Sequence, residues 1–103
     1  HETTLPQSEI TLGEAFKKNG YQTGYIGKWH LGAEAGGWPK DHGFDWAMAS
    51  CEHGAPGSYF FPYKHRSVSV LNVPDLEDGK AGDYLTDVIT DKAIGFIRES
   101  SKA

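Results

Sequence analysis

Two side chains with complementary chemistry, Lys28 and His30, stand two residues apart in the stretch Gly20-Tyr21-Gln22-Thr23-Gly24-Tyr25-Ile26-Gly27-Lys28-Trp29-His30. A lysine ammonium is a compact charge for an oxygen of sulfate or phosphate, and an imidazole moves a proton near neutral pH, so the pair suits an anionic substrate. If the chain stays extended here, residues two apart project to one side and Trp29 to the other. A plainer reading fits the same spacing: Lys28 as a solvated strand-end lysine and His30 as a satisfied loop histidine. Lys-x-His alone does not choose between them.

The elements that must position the pair are well marked. Thr11 and Glu14 have the spacing of a capping box and start a helix that runs to Asn19, with Leu12, Ala15 and Phe16 on one apolar stripe. Lys17 and Lys18 complement its dipole at the C-terminal end. Gly20 suits the left-handed residue just past a helix, and Tyr21 to Ile26 is rich enough in aromatic and β-branched residues for a buried strand. Lys28 and His30 then fall beyond the strand's carboxyl end, where open α/β sheets collect functional groups. A second helix is expected over roughly Asp83 to Ser100, with Asp83 as N-cap. Its apolar stripe is Leu85, Val88, Ile89, Ala93, Phe96 and Ile97, and Asp87 and Asp91 lie on its solvated face.

Between these elements, residues 31 to 82 show little periodicity and read as a long loop, of the kind that is functional or incomplete without other parts of a protein. Gly36-Gly37-Trp38-Pro39 and Ala55-Pro56-Gly57 are turn signals, and Ser67-Val68-Ser69-Val70 alternates like one short strand. The aromatic group Tyr59, Phe60, Phe61 and Tyr63 needs something to pack on, either other parts of a fold or a sugar face.

The 103 residues suffice for one domain, and a net charge of −4 with 38% hydrophobic residues excludes the basic pattern of a nucleic-acid-binding protein. The single cysteine, Cys51, permits no internal disulfide and reads as a small buried hydrophobe or as a cysteine whose partner lies in other parts of the protein. No apolar run is long enough for a membrane span, no signal-peptide pattern is present, and residue 1 is not methionine, all of which fit an internal piece of a larger protein. His30, His42, His53 and His65 recur at nearly even intervals, but they lack the close pairing of a zinc site, so no metal ligand is assigned. His42 is expected to tie a turn through its ring nitrogens.

The string Gly-Tyr-x-Thr-x-x-x-Gly-Lys-Trp-His, followed by Leu31-Gly32, resembles the second signature of the formylglycine-dependent sulfatases. Leu5-Pro6, Thr11-Leu12-Gly13-Glu14, His42-Gly43-Phe44-Asp45 and Tyr84-Leu85-Thr86-Asp87 resemble further strings of that family, in order, and the flavour is that of its arylsulfatase and N-acetylgalactosamine-6-sulfatase branch. The resemblance implies an α/β fold: residues 1–103 would be a partial catalytic domain, a helix-strand-long loop-helix segment of an alkaline-phosphatase-like α/β/α sandwich completed by the rest of the parent chain. It implies hydrolysis of sulfate esters on a sulfated small molecule or sulfated carbohydrate, with Lys28 contacting the sulfate and the formylglycine hydroxyls. His30 would take a proton from a formylglycine hydroxyl, and His53 would lie near the substrate pocket. Family habit favours a periplasmic, secreted or lysosomal setting.

The departures matter as much. Cys51-Glu52-His53-Gly54-Ala55 is not the Cys/Ser-x-Pro/Ala-x-Arg motif that yields formylglycine, so Cys51 is not read as its precursor. The aspartate and asparagine ligands of the calcium ion that the resemblance implies are also missing, and both cofactors are expected in the parent outside this segment. The 103 residues alone are therefore expected to be inactive. Two alternatives stand beside this reading: a phosphate or phosphonate ester hydrolase of the same superfamily, and a noncatalytic carbohydrate-binding module.

Overall fold

The computed structural model describes residues 4–52, 54–64 and 73–102, in two compact units, His1–Gly54 and Ala55–Ala103. In the first unit, helix α1 spans Leu12–Lys18. Thr11 caps it by accepting a hydrogen bond from the Glu14 amide at 3.2 Å. Only this forward half of the expected box is seen, because the Glu14 carboxylate lies 3.5 Å from the Thr11 hydroxyl and 3.8 Å from the His42 ring.

The helix ends as a Schellman motif. Gly20, at φ +88°, donates to the Lys17 carbonyl and Tyr21 to the Phe16 carbonyl, while the Phe16 and Tyr21 rings meet edge to face at 5.0 Å. The side of α1 that packs is not the predicted stripe. Leu12 is 73% and Phe16 44% exposed, and the buried residue is Gly13, where an added Cβ would stand 2.9 Å from the Phe44 ring. A glycine on that side lets an aromatic ring take the place of a side chain.

Strand β1, Gly24–Ile26, is shorter than predicted and half-buried. It pairs in parallel with β2, Trp46–Met48, in the register Gly24↔Trp46, Tyr25↔Ala47 and Ile26↔Met48. A 3₁₀ turn at Pro39–His42 precedes β2, so the predicted long loop contains two short ordered elements. The sequence His42-Gly43-Phe44-Asp45 ties the amino ends of both strands together. The buried Thr23 hydroxyl donates to the Gly43 carbonyl at 2.6 Å and accepts from the Asp45 amide at 3.0 Å, and the Thr23 amide donates to the Asp45 carboxylate at 3.2 Å. Lys17 reaches the other carboxylate oxygen at 2.9 Å, joining α1 to the same latch. His42 is completely buried but contributes through its backbone, its carbonyl accepting from the Thr11 hydroxyl at 2.5 Å; neither ring nitrogen has a hydrogen-bond partner.

In the second unit, an antiparallel bridge joins Phe60 to Tyr84, and helix α2 follows at Leu85–Ser101. Asp83 is not the helix cap, since its carboxylate accepts from the Lys80 amide at 3.0 Å and closes the preceding turn. Leu85 is buried, Val88, Ile89, Ala93 and Phe96 are partly covered, and Ile97 is exposed. Tyr63 and Leu76 are fully buried, which gives part of the aromatic group its packing, while Tyr59 and Phe60 stay exposed. The alternating run at 67–70 lies outside the described residues.

Two outcomes test the latch. Thr23→Val in the full-length protein removes the hydroxyl from a buried site and leaves the Gly43 carbonyl and Asp45 amide unpaired, so the unfolding free energy in urea should fall by about 2 kcal/mol. The Asp45 carboxyl is held below its ordinary value of 3.8 by the bond from Lys17 and then by the Thr23 amide. Its contribution is therefore complete above pH 3.8 and lost as pH falls through the lower folded value. Thermal midpoints of wild type and Asp45→Asn should differ above pH 3.8 and converge in stronger acid, and a constant gap would refute the assignment.

Candidate active site

The carboxyl ends of β1 and β2 open on the same side, and the segments that leave them are bound to each other. Gly27 donates its amide to the Met48 carbonyl at 3.0 Å, and His30 donates to the Cys51 carbonyl at 3.4 Å. The chain is not extended through Lys28 and His30, as the pleat argument expects. β1 ends at Ile26, and positive φ values at Gly27 (+101°) and His30 (+58°) turn the backbone. The two side chains nevertheless converge. A Cβ placed on Gly54 would stand 3.2 Å from His30 Nδ1 and 3.8 Å from Lys28 Nζ, so ammonium and imidazole both face one glycine. Both residues are exposed, whereas Trp29 between them is only 6% exposed.

Trp29 is the floor of this arrangement. Its indole N–H donates to the Gly37 carbonyl at 2.6 Å, and its ring meets Tyr25 edge to face at 5.0 Å, Phe44 at 6.4 Å and His42 at 5.9 Å. The Tyr25 hydroxyl donates to the Lys28 carbonyl, and burial pushes its pKa up, so the proton it donates is retained. A buried indole thus fixes the backbone from which Lys28 and His30 project toward Gly54. His53 lies outside the described residues, and among the described residues no three His, Cys, Asp or Glu side chains stand together as a metal site would require. The nearness of Gly54 to Lys28 and His30 was not legible in the sequence, because the glycine carries no reactive group and Ala55-Pro56-Gly57 signals only a turn.

A helix tied through Lys17 and Asp45 to the entry of a parallel strand pair, with a cation and an imidazole beyond the strands' carboxyl ends, makes this an α/β segment with its polar groups where open α/β sheets collect them. The sulfatase family model matches residues 1–103, and the chain belongs to the sulfatase family. It is 34% identical to an arylsulfatase of Hemicentrotus pulcherrimus, covering 95% of this chain and 20% of the relative. It is 36% identical to an N-acetylglucosamine-6-O-sulfatase of Bacteroides thetaiotaomicron, over 97% of this chain and 15% of that protein. The human N-acetylgalactosamine-6-sulfatase is 32% identical, with 95% of this chain and 20% of the relative covered. The chain thus spans at most about a fifth of the length of these relatives. Among solved structures, the crystal structure of Ps i-CgsB superposes with a TM-score of 0.64 at 21% identity, covering 96% of this chain and 25% of that one. Among the described residues no helix is long and apolar enough to cross a membrane.

Trp29→Phe tests the floor. It keeps an aromatic ring but withdraws the N–H from the buried Gly37 carbonyl, and should cost about 1–3 kcal/mol in urea unfolding of the full-length protein. An unchanged unfolding curve would show that the indole hydrogen bond holds nothing.

Proposed function

We propose that residues 1–103 form an internal part of a sulfatase catalytic domain and supply Lys28 and His30 to its active site, where a sulfate ester of a small molecule or a carbohydrate is hydrolysed. The observation that carries this reading is the convergence of Lys28 Nζ and His30 Nδ1 on Gly54 beyond the carboxyl ends of two parallel strands, in a chain of the sulfatase family. Relatives named for N-acetylglucosamine-6-sulfate and N-acetylgalactosamine-6-sulfate chemistry support a sulfated sugar. So does a solved neighbour crystallised with k-i-k-neocarrahexaose.

Lys28 donates from Nζ to a sulfate oxygen and counters the negative charge that grows there as the ester bond breaks. Close beside it, His30 holds or releases a proton at Nδ1. In the parent enzyme a formylglycine would supply a hydrated-aldehyde nucleophile, and Lys28 and His30 are suited to hold its hydroxyls by hydrogen bonds. The described residues do not fit a calcium site, and no step here runs through one. His53 remains a proposed substrate contact on sequence grounds.

Lys28→Ala in the full-length protein should lower kcat on an aryl sulfate by about 10²–10³, the loss typical of one oxyanion donor. His30→Ala should lower it by about 10²–10⁴, the usual share of a positioned acid–base group. Turnover within a few-fold of wild type in both variants sinks the assignment. Saturable sugar binding that survives both variants in a protein without sulfatase activity would favour a binding module.

A further inference from the structure

We propose that Tyr25 is a positioning residue for Lys28: its hydroxyl ties down the Lys28 carbonyl and so limits the direction in which the ammonium leaves the backbone. The inference rests on the sulfatase reading for the task of Lys28 and on geometry for the tie. Lys28 stands beyond the last ladder residue of β1, after a turn at Gly27 with φ +101°. The amides on either side of it, those of Gly27 and His30, donate to the carbonyls of Met48 and Cys51. The Lys28 carbonyl itself is taken by a side chain. The turn lets a strand residue reach the peptide three positions on, and the phenol of Tyr25 donates to it. Two planar peptides meet at the Lys28 Cα, and fixing one of them restricts how the Cα–Cβ bond can swing.

The phenol can anchor a peptide because it is itself held. Its ring meets Trp29 edge to face at 5.0 Å and Phe44 at 5.3 Å, on the same buried floor that supports the site. A phenylalanine would pack against the same two rings, so packing accounts for the ring and the Lys28 carbonyl accounts for the hydroxyl. Burial raises the phenol's pKa above its ordinary 10.0, which keeps the donor protonated through the neutral range. A tie of this kind sets the height of a pH–rate profile and leaves its shape to the groups that move protons.

The test is Tyr25→Phe in the full-length protein, which keeps the ring and removes the tie. On an aryl sulfate kcat should fall by about tenfold, a loss that a small misplacement of a reacting group readily brings, while KM moves less. The pH profile of kcat should drop without changing shape, and the thermal midpoint should hold. In a Lys28→Ala background the same substitution should cost nothing further, whereas in a His30→Ala background it should cost its full factor. The proposal is overturned by an unchanged kcat, by an equal loss in both backgrounds, by a shifted pH profile, or by a Tyr25→Phe protein that does not fold. Amide hydrogen exchange needs no turnover: Tyr25→Phe should speed exchange in residues 27–30 and leave α1 as it is. Faster exchange there in a protein that turns over no sulfate ester would refute the sulfatase reading and leave the tie standing, and unchanged exchange in an active protein would overturn the tie alone.

Discussion

The reciprocal hydrogen bonding of Thr23 and Asp45 is the interaction on which the first unit depends. Parallel strands cannot be joined by a tight hairpin and need a long crossover, so chain connectivity does little to fix their register. Strands of three residues add little more. The register is fixed from outside the ladder: Thr23, just before β1, exchanges backbone and side-chain bonds with Asp45, just before β2. A slip by one residue would put Gly27 out of line with Met48 and His30 out of line with Cys51, separating the two loops that carry the site. The latch at one end of the strands thus determines the geometry at the other.

Trp29 plays the complementary part on the crossover. A segment between parallel strands would ordinarily be covered by a helix, and here a single indole with its aromatic neighbours Tyr25, Phe44 and His42 fills that role locally. His42 carries a cost: its ring nitrogens are buried without hydrogen-bond partners, with the Glu14 carboxylate 3.8 Å away, a position that a purely apolar ring would occupy at less expense in desolvation. Its backbone carbonyl, by contrast, is well used by Thr11.

What could be read from the residues alone was what is decided locally. The Gly20 helix ending, the Thr11 cap and the α2 stripe from Leu85 to Phe96 depend on neighbours three or four positions away, and they appear in the structure, while Ile97 at the end of the stripe is exposed. β2 was not legible, because Trp46-Ala47-Met48 is too short to show alternation and is held by non-local partners, the β1 ladder and the bonds between Thr23 and Asp45, twenty-two residues apart. Asp83 was misassigned because a turn amide and a helix amide compete for the same carboxylate, and the turn at Lys80 is nearer. The α1 stripe was legible as a pattern but not as a contact, since Gly13 lets Phe44 approach the helix from another side. The closeness of Lys28 and His30 was anticipated for the wrong reason: positive φ values at Gly27 and His30, not a pleat, bring them to Gly54.

The exposure of the pair sets what it can do. Two unit charges 4 Å apart interact by about 1 kcal/mol in water and about 4 kcal/mol at an effective dielectric near 20, so an ammonium open to solvent contributes little to transition-state stabilisation. Lys28 and His30 are both exposed, and so are Leu12 and Phe16 on α1. These are two aspects of one condition. An uncovered apolar stripe and an uncovered lysine and histidine are what a segment spanning about a fifth of its relatives' length presents when considered by itself. Cover over the α1 stripe would stabilise the helix that anchors Lys17 to the latch, and cover over the site would exclude the water that screens Lys28. Under the proposed function, full catalytic strength in the pair would require the same surrounding chain that would bury the stripe, which would couple completion of the fold to activation of the site.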